Sequence, residues 1–213
     1  EGGMSNLKGK KIGFIFLESG YGREPIPLLE ELSKELGYKM FTIPVAFKES
    51  QNQSSHWLKV RKEKPDWMIM WGWGAMNATA IKEAAKIRFP MDRFIGNWWS
   101  SAHADLVPVG ETGKGYIGAN FSGIGTDFPA IQDIIKYVVE AGNSQADPST
   151  VGNVLYNRGI YNAVIVAEVP ALVSVKVQSV TSISFRNLSL MSSVSTVIFN
   201  SPKLLINGNN SWN

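Results

Sequence analysis

Short apolar runs alternate with amphipathic segments along the first part of the chain. Lys11–Leu17 is almost continuously apolar, which is typical of a strand buried on both faces of a parallel sheet. Similar runs predict further strands at 40–47, 67–71, 93–96 and 115–121. Helical spacing between the strands predicts helices at 25–36, 53–64 and 77–88. The alternation predicts an α/β fold, a doubly wound, Rossmann-like parallel sheet with helices on both faces.

The spacing of large apolar residues predicts which face of each helix packs on the sheet. In the first helix Leu28, Leu32 and Leu36 recur at every fourth position, so we expect them to form its core face. In the second helix Trp57 and Val60 share one face for the same reason.

The chain changes character after the last predicted strand. Two more helices are predicted, at Pro129–Ala141 and at 149–168, and we expect Pro170 to end the second. The last 45 residues contain ten serines and six asparagines. Within them Leu172–Phe185 alternates roughly with a period of two, which favours a strand.

Four of the seven tryptophans lie in two loops that follow predicted strands, Trp71-Gly72-Trp73-Gly74 and Asn97-Trp98-Trp99-Ser100. In a parallel sheet such loops emerge at one edge, where ligands bind. Tyr21, between two glycines, follows the first strand in the same way. We therefore expect Tyr21, Trp73 and Trp98 to line one crevice, whereas Trp71 fits the core equally well. An aromatic box suits a planar apolar group or a cation.

Little else in the sequence indicates chemistry. The absence of cysteine excludes disulfides and thiolate sites, and His56 and His103 are too far apart in sequence to suggest a metal site. The segment 110–115 (GETGKG) is too short between its glycines for a phosphate loop and precedes a strand. Glu18 and Asp105 fall on ligand-side loops, and the sequence identifies no partner for either, so we interpret them as solvated loop charges. His103 lies within reach of the predicted crevice, and we interpret it as a loop histidine without a functional role. We predict no catalytic residue, no metal and no cofactor.

The charge distribution argues against a nucleic-acid partner. The net charge is +3, but all 18 acidic residues and 18 of the 21 basic residues lie in 1–168. The excess belongs to an acid-free tail and forms no basic stripe. No run of 18 apolar residues occurs, so no membrane insertion is expected. The first six residues are not a signal peptide, although a signal could have been removed or lie upstream.

An ordered set of motifs resembles the type I periplasmic solute-binding proteins of the branched-chain amino-acid ABC transporter family. The set begins with Tyr21-Gly22 before a helix and continues with Gln53 to Trp57 before a helix that ends in Lys64-Pro65-Asp66. A strand ending in Trp-Gly, the segment Ala84-Ala85 to Phe89-Pro90, and Phe94-Ile95-Gly96 before Asn-Trp-Trp-Ser complete it. The resemblance covers about residues 8–168.

The resemblance implies a domain organisation. Residues 1–122 look like the second, C-terminal ligand-binding lobe, residues 123–168 like helices that normally return to the first lobe, and residues 169–213 form an atypical Ser/Asn-rich tail. The opening half of the first lobe is missing, so we expect a fragment. The family further implies a periplasmic or extracytoplasmic location, a small-molecule ligand and the membrane permease of an ABC transporter as partner.

The resemblance also implies ligand-binding residues. In the amino-acid binders of this family the second lobe contributes a tyrosine from the first loop, which Tyr21 matches, and an aromatic residue from the third-strand loop, which Trp73 matches approximately. The family's acidic residue from the fourth-strand loop falls near Trp98 in this chain. The expected ligand-binding set is Tyr21, Trp73, Asn97, Trp98, Trp99 and Ser100. Because Trp98 cannot pair with an ammonium group, an aromatic or carboxylate-bearing solute, or a quaternary amine, fits at least as well as an ordinary α-amino acid.

Two alternatives remain open at this stage. A ligand-sensing regulatory domain uses the same fold, since fold alone does not give function, and an open α/β enzyme is a third possibility. A helix-turn-helix or a transmembrane segment upstream would favour the sensor, and a secretory signal would favour the transporter receptor.

Overall fold

The computed structural model describes residues 3–178, with side chains as far as residue 167. Within this range the chain divides into two compact units, residues 3–120 and residues 121–178. The predictions for 179–213, including the second half of the strand-like segment 172–185, lie outside the described residues. No described helix is long and apolar enough to cross a membrane.

A five-stranded sheet forms the centre of the first unit, in the order β2-β1-β3-β4-β5. The strands are β1 (Lys11–Leu17), β2 (Lys39–Val45), β3 (Trp67–Trp71), β4 (Phe94–Gly96) and β5 (Ile117–Gly118). Every neighbouring pair is parallel, which confirms the predicted sheet. The fifth strand is shorter than predicted, because only Ile117 and Gly118 pair with β4.

Helices cover both faces of this sheet. In the first unit they are α1 (Gly20–Arg23), α2 (Ile26–Leu36), α3 (Ser54–Glu63), α4 (Ala75–Lys86) and α5 (His103–Leu106). Because β2 and β3 flank β1 on opposite sides, right-handed crossovers place α2 on one face and α3 and α4 on the other. The doubly wound fold is therefore confirmed, and the strand order reverses between β1 and β3.

The main hydrophobic core lies between the sheet and the pair α3 and α4. Trp57 and Val60 of α3 are fully buried, as predicted, and Met68 and Met70 of β3 are buried with them. The Trp57 ring meets Phe94 edge to face, with 5.3 Å between ring centroids. From α4 the same core receives Met76, Ala80, Ile81 and Ala84.

Helix α2 turns a different side to the sheet than predicted. Leu28 is 58% exposed, whereas Leu29, Leu32 and Leu36 are half-buried, so the assignment of Leu28 to the core face is wrong. Positions 29, 32 and 36 are spaced by three and four residues. This spacing follows the 3.6-residue repeat more closely than an unbroken spacing of four.

The second unit is helical. Helix α6 (Pro129–Ile134) continues as a π-helical segment over Ile135–Val139, and α7 spans Val154–Gln178. The predictions that Pro170 ends this helix and that 172–178 is strand are therefore wrong. An apolar run alone does not distinguish a helix from a strand, and the alanine and leucine that follow Pro170 favour helix.

Candidate functional site

Three loops bring aromatic side chains to the carboxyl-terminal edge of the sheet. Tyr21 lies in α1, directly after β1, while Trp73 and Trp98 follow β3 and β4. All three side chains are partly exposed at this edge, where the sequence placed them. The strand order reverses between β1 and β3, and at such a point open α/β sheets bind their ligands.

Five rings form what we call the aromatic cluster: Tyr21, Trp71, Trp73, Trp98 and Trp99. The Tyr21 ring lies 6.1 Å from Trp71 and 6.5 Å from Trp73, between centroids. Trp71 meets Trp98 at 5.0 Å, and Trp73 meets Trp99 at 4.6 Å. Trp73 and Trp99 are 48% and 37% exposed, so these two rings offer the largest accessible surface.

The hydroxyl of Tyr21 joins three loops. It donates to the carbonyl of Gly72 at 3.2 Å and accepts from the side-chain amide of Asn97. Burial raises the pKa of Tyr21, opposed by the hydrogen bond from Asn97. The hydroxyl therefore stays protonated at neutral pH and keeps both bonds. Tyr21 is left to present its ring, rather than its hydroxyl, to a ligand.

Asn97 and Ser100, expected to bind ligand, lie below the surface. Asn97 is 4% exposed and Ser100 is fully buried. The side-chain oxygen of Asn97 accepts from Ser100 Oγ at 2.8 Å and from the main-chain N–H of Trp99 at 3.2 Å. The carbonyl of Ser100 accepts from the Tyr116 hydroxyl at 2.9 Å. These bonds fix the course of the Asn-Trp-Trp-Ser loop.

A cleft of about 390 Å³ opens beside the aromatic cluster. It is lined by Leu17, Ser19, Tyr21, Phe47 and Trp73. The Ser19 hydroxyl is already engaged, since it accepts from the main-chain N–H of Gly22 at 3.1 Å. The cleft therefore offers mainly apolar and aromatic surface, as small-molecule sites commonly do.

Phe47 is a lining residue that the sequence analysis missed. The pattern placed it inside the strand predicted at 40–47, but β2 ends at Val45 and Phe47 begins a 3-10 turn, 67% exposed. The available signal was the one used for Tyr21, an aromatic residue close behind a strand. Phe47 and Trp73 also border an adjoining depression of about 310 Å³, which Lys48 helps to line.

The carboxylates closest to these strand ends have partners within the first unit. Glu18 lies 2.8 Å from the guanidinium of Arg23, and Glu49 lies 3.6 Å from a ring nitrogen of His56. Neither carboxylate lines the cleft. Among the described residues, no group of three or more histidine, aspartate or glutamate side chains is placed to hold a metal ion.

Asp105 belongs to the loop structure after β4. Its two oxygens accept from the Asn77 amide at 3.0 Å and from the Ala102 N–H at 3.2 Å. Burial raises the pKa of Asp105 against the opposing effect of these bonds, and burial lowers the pKa of His103 nearby. Asp105 is therefore not the solvated loop charge that the sequence suggested.

The five-stranded parallel sheet is the fold of one lobe of a type I periplasmic binding protein. The family model described as periplasmic binding protein matches residues 2–167, and the chain therefore belongs to this family. The resemblance to the branched-chain amino-acid transporter type is confirmed. A comparison with the curated proteins gives no match.

Solved structures share the fold. An ABC transporter permease from the Pseudomonas fluorescens group is 36% identical and covers 78% of this chain, with a TM-score of 0.72. A benzoate complex of a solute-binding protein from R. palustris is 16% identical over 74% of the chain, with a TM-score of 0.57. A branched chain amino acid ABC transporter from Thermus thermophilus with bound valine is 17% identical over 67%, also with a TM-score of 0.57. This chain spans only 40%, 43% and 37% of their respective lengths.

Proposed function

We propose that this chain supplies one lobe of the extracytoplasmic solute-binding component of an ABC importer. The observation that carries the proposal is the cleft at the reversal of strand order, bordered by the exposed rings of Phe47 and Trp73. Membership of the family supports an extracytoplasmic location and a membrane permease as partner. In this proposal residues 3–120 form the second lobe of the complete protein, and the site binds a solute without transforming it.

The lining suggests which part of a solute this lobe receives. Leu17 and the rings of Tyr21, Phe47 and Trp73 favour a flat, uncharged group, which stacks on aromatic faces. Glu18 pairs with Arg23, Asp105 accepts from Asn77, and neither carboxylate lines the cleft, so the lining offers no anionic partner for an ammonium group. Structures of this fold hold benzoate, 3,4-dihydroxy benzoic acid or valine. We infer that an aromatic acid suits this lobe better than an α-amino acid.

The roles within the expected ligand-binding set then divide. Tyr21 and Trp73 contact the solute through their rings, while Trp99 packs on Trp73 and Trp98 packs on Trp71. Asn97 and Ser100 hold the loop from below.

An NMR titration tests the proposal directly. Amide signals of the chain are followed while benzoate, leucine or choline is added. Because the cleft is lined by one unit only and a small ligand needs most of its surface covered, we expect weak binding, with a dissociation constant of about a millimolar or higher. Shifts should cluster at Leu17 to Tyr21, Phe47 and Trp73, and be largest with benzoate. No shift at the cleft with any compound contradicts the proposal.

The variant Trp73→Ala tests whether the Trp73 ring contributes to solute binding. Stacking on one aromatic ring contributes about 1–3 kcal/mol, so benzoate binding should weaken at least fivefold or so. Trp67→Ala is the control, because Trp67 begins the same strand at the opposite edge of the sheet. Equal binding by both variants would show that the solute lies elsewhere.

A further inference from the structure

Asn77 is a fully buried polar residue in the first turn of α4. Its side-chain nitrogen donates to the main-chain carbonyl of Trp99 at 2.8 Å and to a carboxylate oxygen of Asp105 at 3.0 Å. Both partners are acceptors, so the nitrogen must face them and both of its hydrogens are used. Asn77 therefore ties the start of α4 to the loop after β4.

The main chain of Trp99 is held from two sides. Its N–H donates to the side chain of Asn97 at 3.2 Å, while its carbonyl accepts from Asn77. The Trp99 ring packs on Trp73 with 4.6 Å between centroids and 56° between planes. Trp73 lines the cleft. The residue that accepts the hydrogen bond from Asn77, Trp99, therefore packs directly on Trp73, which lines the cleft.

The first turn of α4, which carries Asn77, is itself held in place by hydrogen bonds. The side chain of Gln53, fully buried, donates to the carbonyls of Met76 and Ser50, each at 2.9 Å. The first turn of α4 is therefore fixed to the segment after β2 before Asn77 reaches across to Trp99. Hydrogen bonds from two buried side chains, Gln53 and Asn77, therefore connect the segment after β2 with the loop after β4 through the first turn of α4.

The loop after β3 is shaped around the same amide. A Cβ on Gly72 would lie 2.3 Å from the Asn77 side-chain oxygen, so the Trp-Gly-Trp loop crosses the amide with no space for a side chain. Among the described residues no donor reaches that oxygen. A buried amide with an unpaired acceptor is not what stability alone favours, which suggests a positioning role.

We propose that Asn77 is a positioning residue for the ligand site: its amide, through the Trp99 carbonyl, sets the Trp73–Trp99 pair beside the cleft. The inference rests on the proposed function for the part that concerns solute binding. The arrangement of the two rings is independent of any ligand and is measured separately.

The experiment measures two quantities in the same samples, the arrangement of the Trp73 and Trp99 rings and the affinity for benzoate. The ultraviolet circular dichroism signal from coupling of Trp73 and Trp99 is taken as the difference between the wild-type chain and Trp99→Phe. Asn77→Leu and Asn77→Asp both remove the donor, and we expect loss of this signal and roughly fivefold or greater weakening of benzoate binding. Asp105→Asn keeps the bond from Asn77 to Trp99 and should retain both.

A double variant separates positioning from support of the fold. Asn77→Asp combined with Asp105→Asn exchanges donor and acceptor, so the contact between 77 and 105 is restored while the side chain at 77 no longer donates to the carbonyl of Trp99. We expect stability to recover toward wild type and the coupling signal to stay lost. This variant also decides the matter if the single variants do not fold.

Two results would overturn the inference. One is an unchanged coupling signal in folded Asn77→Asp. The other is a recovered signal in the double variant, which would mean that Asn77 acts through Asp105 alone. A wild-type chain that shows the coupling signal but binds no benzoate, leucine or choline would count against the proposed function and leave the placement of the rings intact.

Discussion

Gly96, the last residue of β4, leaves no space for a side chain. A Cβ at this position would lie 1.7 Å from the Tyr116 hydroxyl and 2.9 Å from Ser100 Oγ. The Tyr116 hydroxyl is buried and donates to the carbonyl of Ser100, so it cannot move without disturbing the tryptophan loop. The absence of a side chain at Gly96 therefore allows Tyr116 and Ser100 to pack against β4 below the aromatic cluster's tryptophan loop.

Gly96→Ala should therefore lower the free energy of unfolding by about 1–3 kcal/mol, the usual effect of overpacking a core. Urea denaturation measures the change. Gly20→Ala is the control, because a Cβ on Gly20 has no neighbour within 4 Å, and its effect should stay within about 0.5 kcal/mol. If the two variants are equally stable, Tyr116 moves aside more easily than its burial indicates.

Asp105 gives a pH dependence with a defined sign. Burial raises its folded pKa above the ordinary 3.8, so between these two values the folded chain binds more protons than the unfolded chain. The free energy of unfolding must then fall as pH rises through that window. Asp105→Asn removes this titration, and the wild-type chain should lose stability relative to the variant as pH rises from about 4 toward neutrality.

Urea denaturation of both proteins at several pH values supplies the comparison. The difference between them cancels the contribution of His103, which both proteins carry. A difference that does not change with pH would mean that the folded carboxyl titrates at its ordinary pKa.

At the scale of elements, the carboxyl-terminal loops are joined by side chains rather than by the sheet. The Tyr21 hydroxyl links the loop after β1 to Gly72 after β3 and to Asn97 after β4. Asn77 links α4 to the loop after β4. Three strands of the sheet therefore present their aromatic residues as one surface.

Tyr21→Phe tests this link while retaining the ring. It leaves the amide of Asn97 and the carbonyl of Gly72 without their partner, so the free energy of unfolding should fall by about 1–3 kcal/mol. Tyr137→Phe is the control, since Tyr137 is 60% exposed and its loss of a hydroxyl should have little effect. Equal thermal and urea stability of the two variants would show that water replaces the Tyr21 bonds at no cost.

At the scale of the whole molecule, the second unit exposes large apolar residues. Val138 follows α6, and Leu155, Val164, Ile165 and Val166 lie on α7. Exposed apolar surface of this kind favours association. We expect the chain to form oligomers in solution as its concentration rises.

Size-exclusion chromatography with light scattering checks this expectation. Val164→Glu together with Val166→Glu should shift the chain toward monomer. Asn162→Glu, at an exposed polar position of the same helix, adds a negative charge without removing apolar surface and should not. A wild-type chain that stays monomeric at high concentration would refute the prediction.

The sequence by itself determined the order of the main strands and helices of the first unit and the edge of the sheet at which the strands end. Apolar runs predicted β1 and β3 with the observed bounds, because consecutive residues of β1 are buried and every residue of β3 is buried or half-buried. The rule that parallel strands end at one edge then placed Tyr21, Trp73 and Trp98 together. Residues 172–178 fit the spacing of a strand and that of a helix, and the prediction of a strand there was wrong.

Only the tertiary structure decided how the site is supported. The bond from Asn97 to Tyr21 joins residues 76 positions apart, and that from Asn77 to Asp105 joins residues 28 apart. Such pairs depend on strand register and on the packing of α4, which no local pattern specifies. The exposure of Phe47 likewise depends on where β2 leaves the sheet. Local periodicity fixes elements, whereas polar contacts between distant loops arise only when the chain is packed.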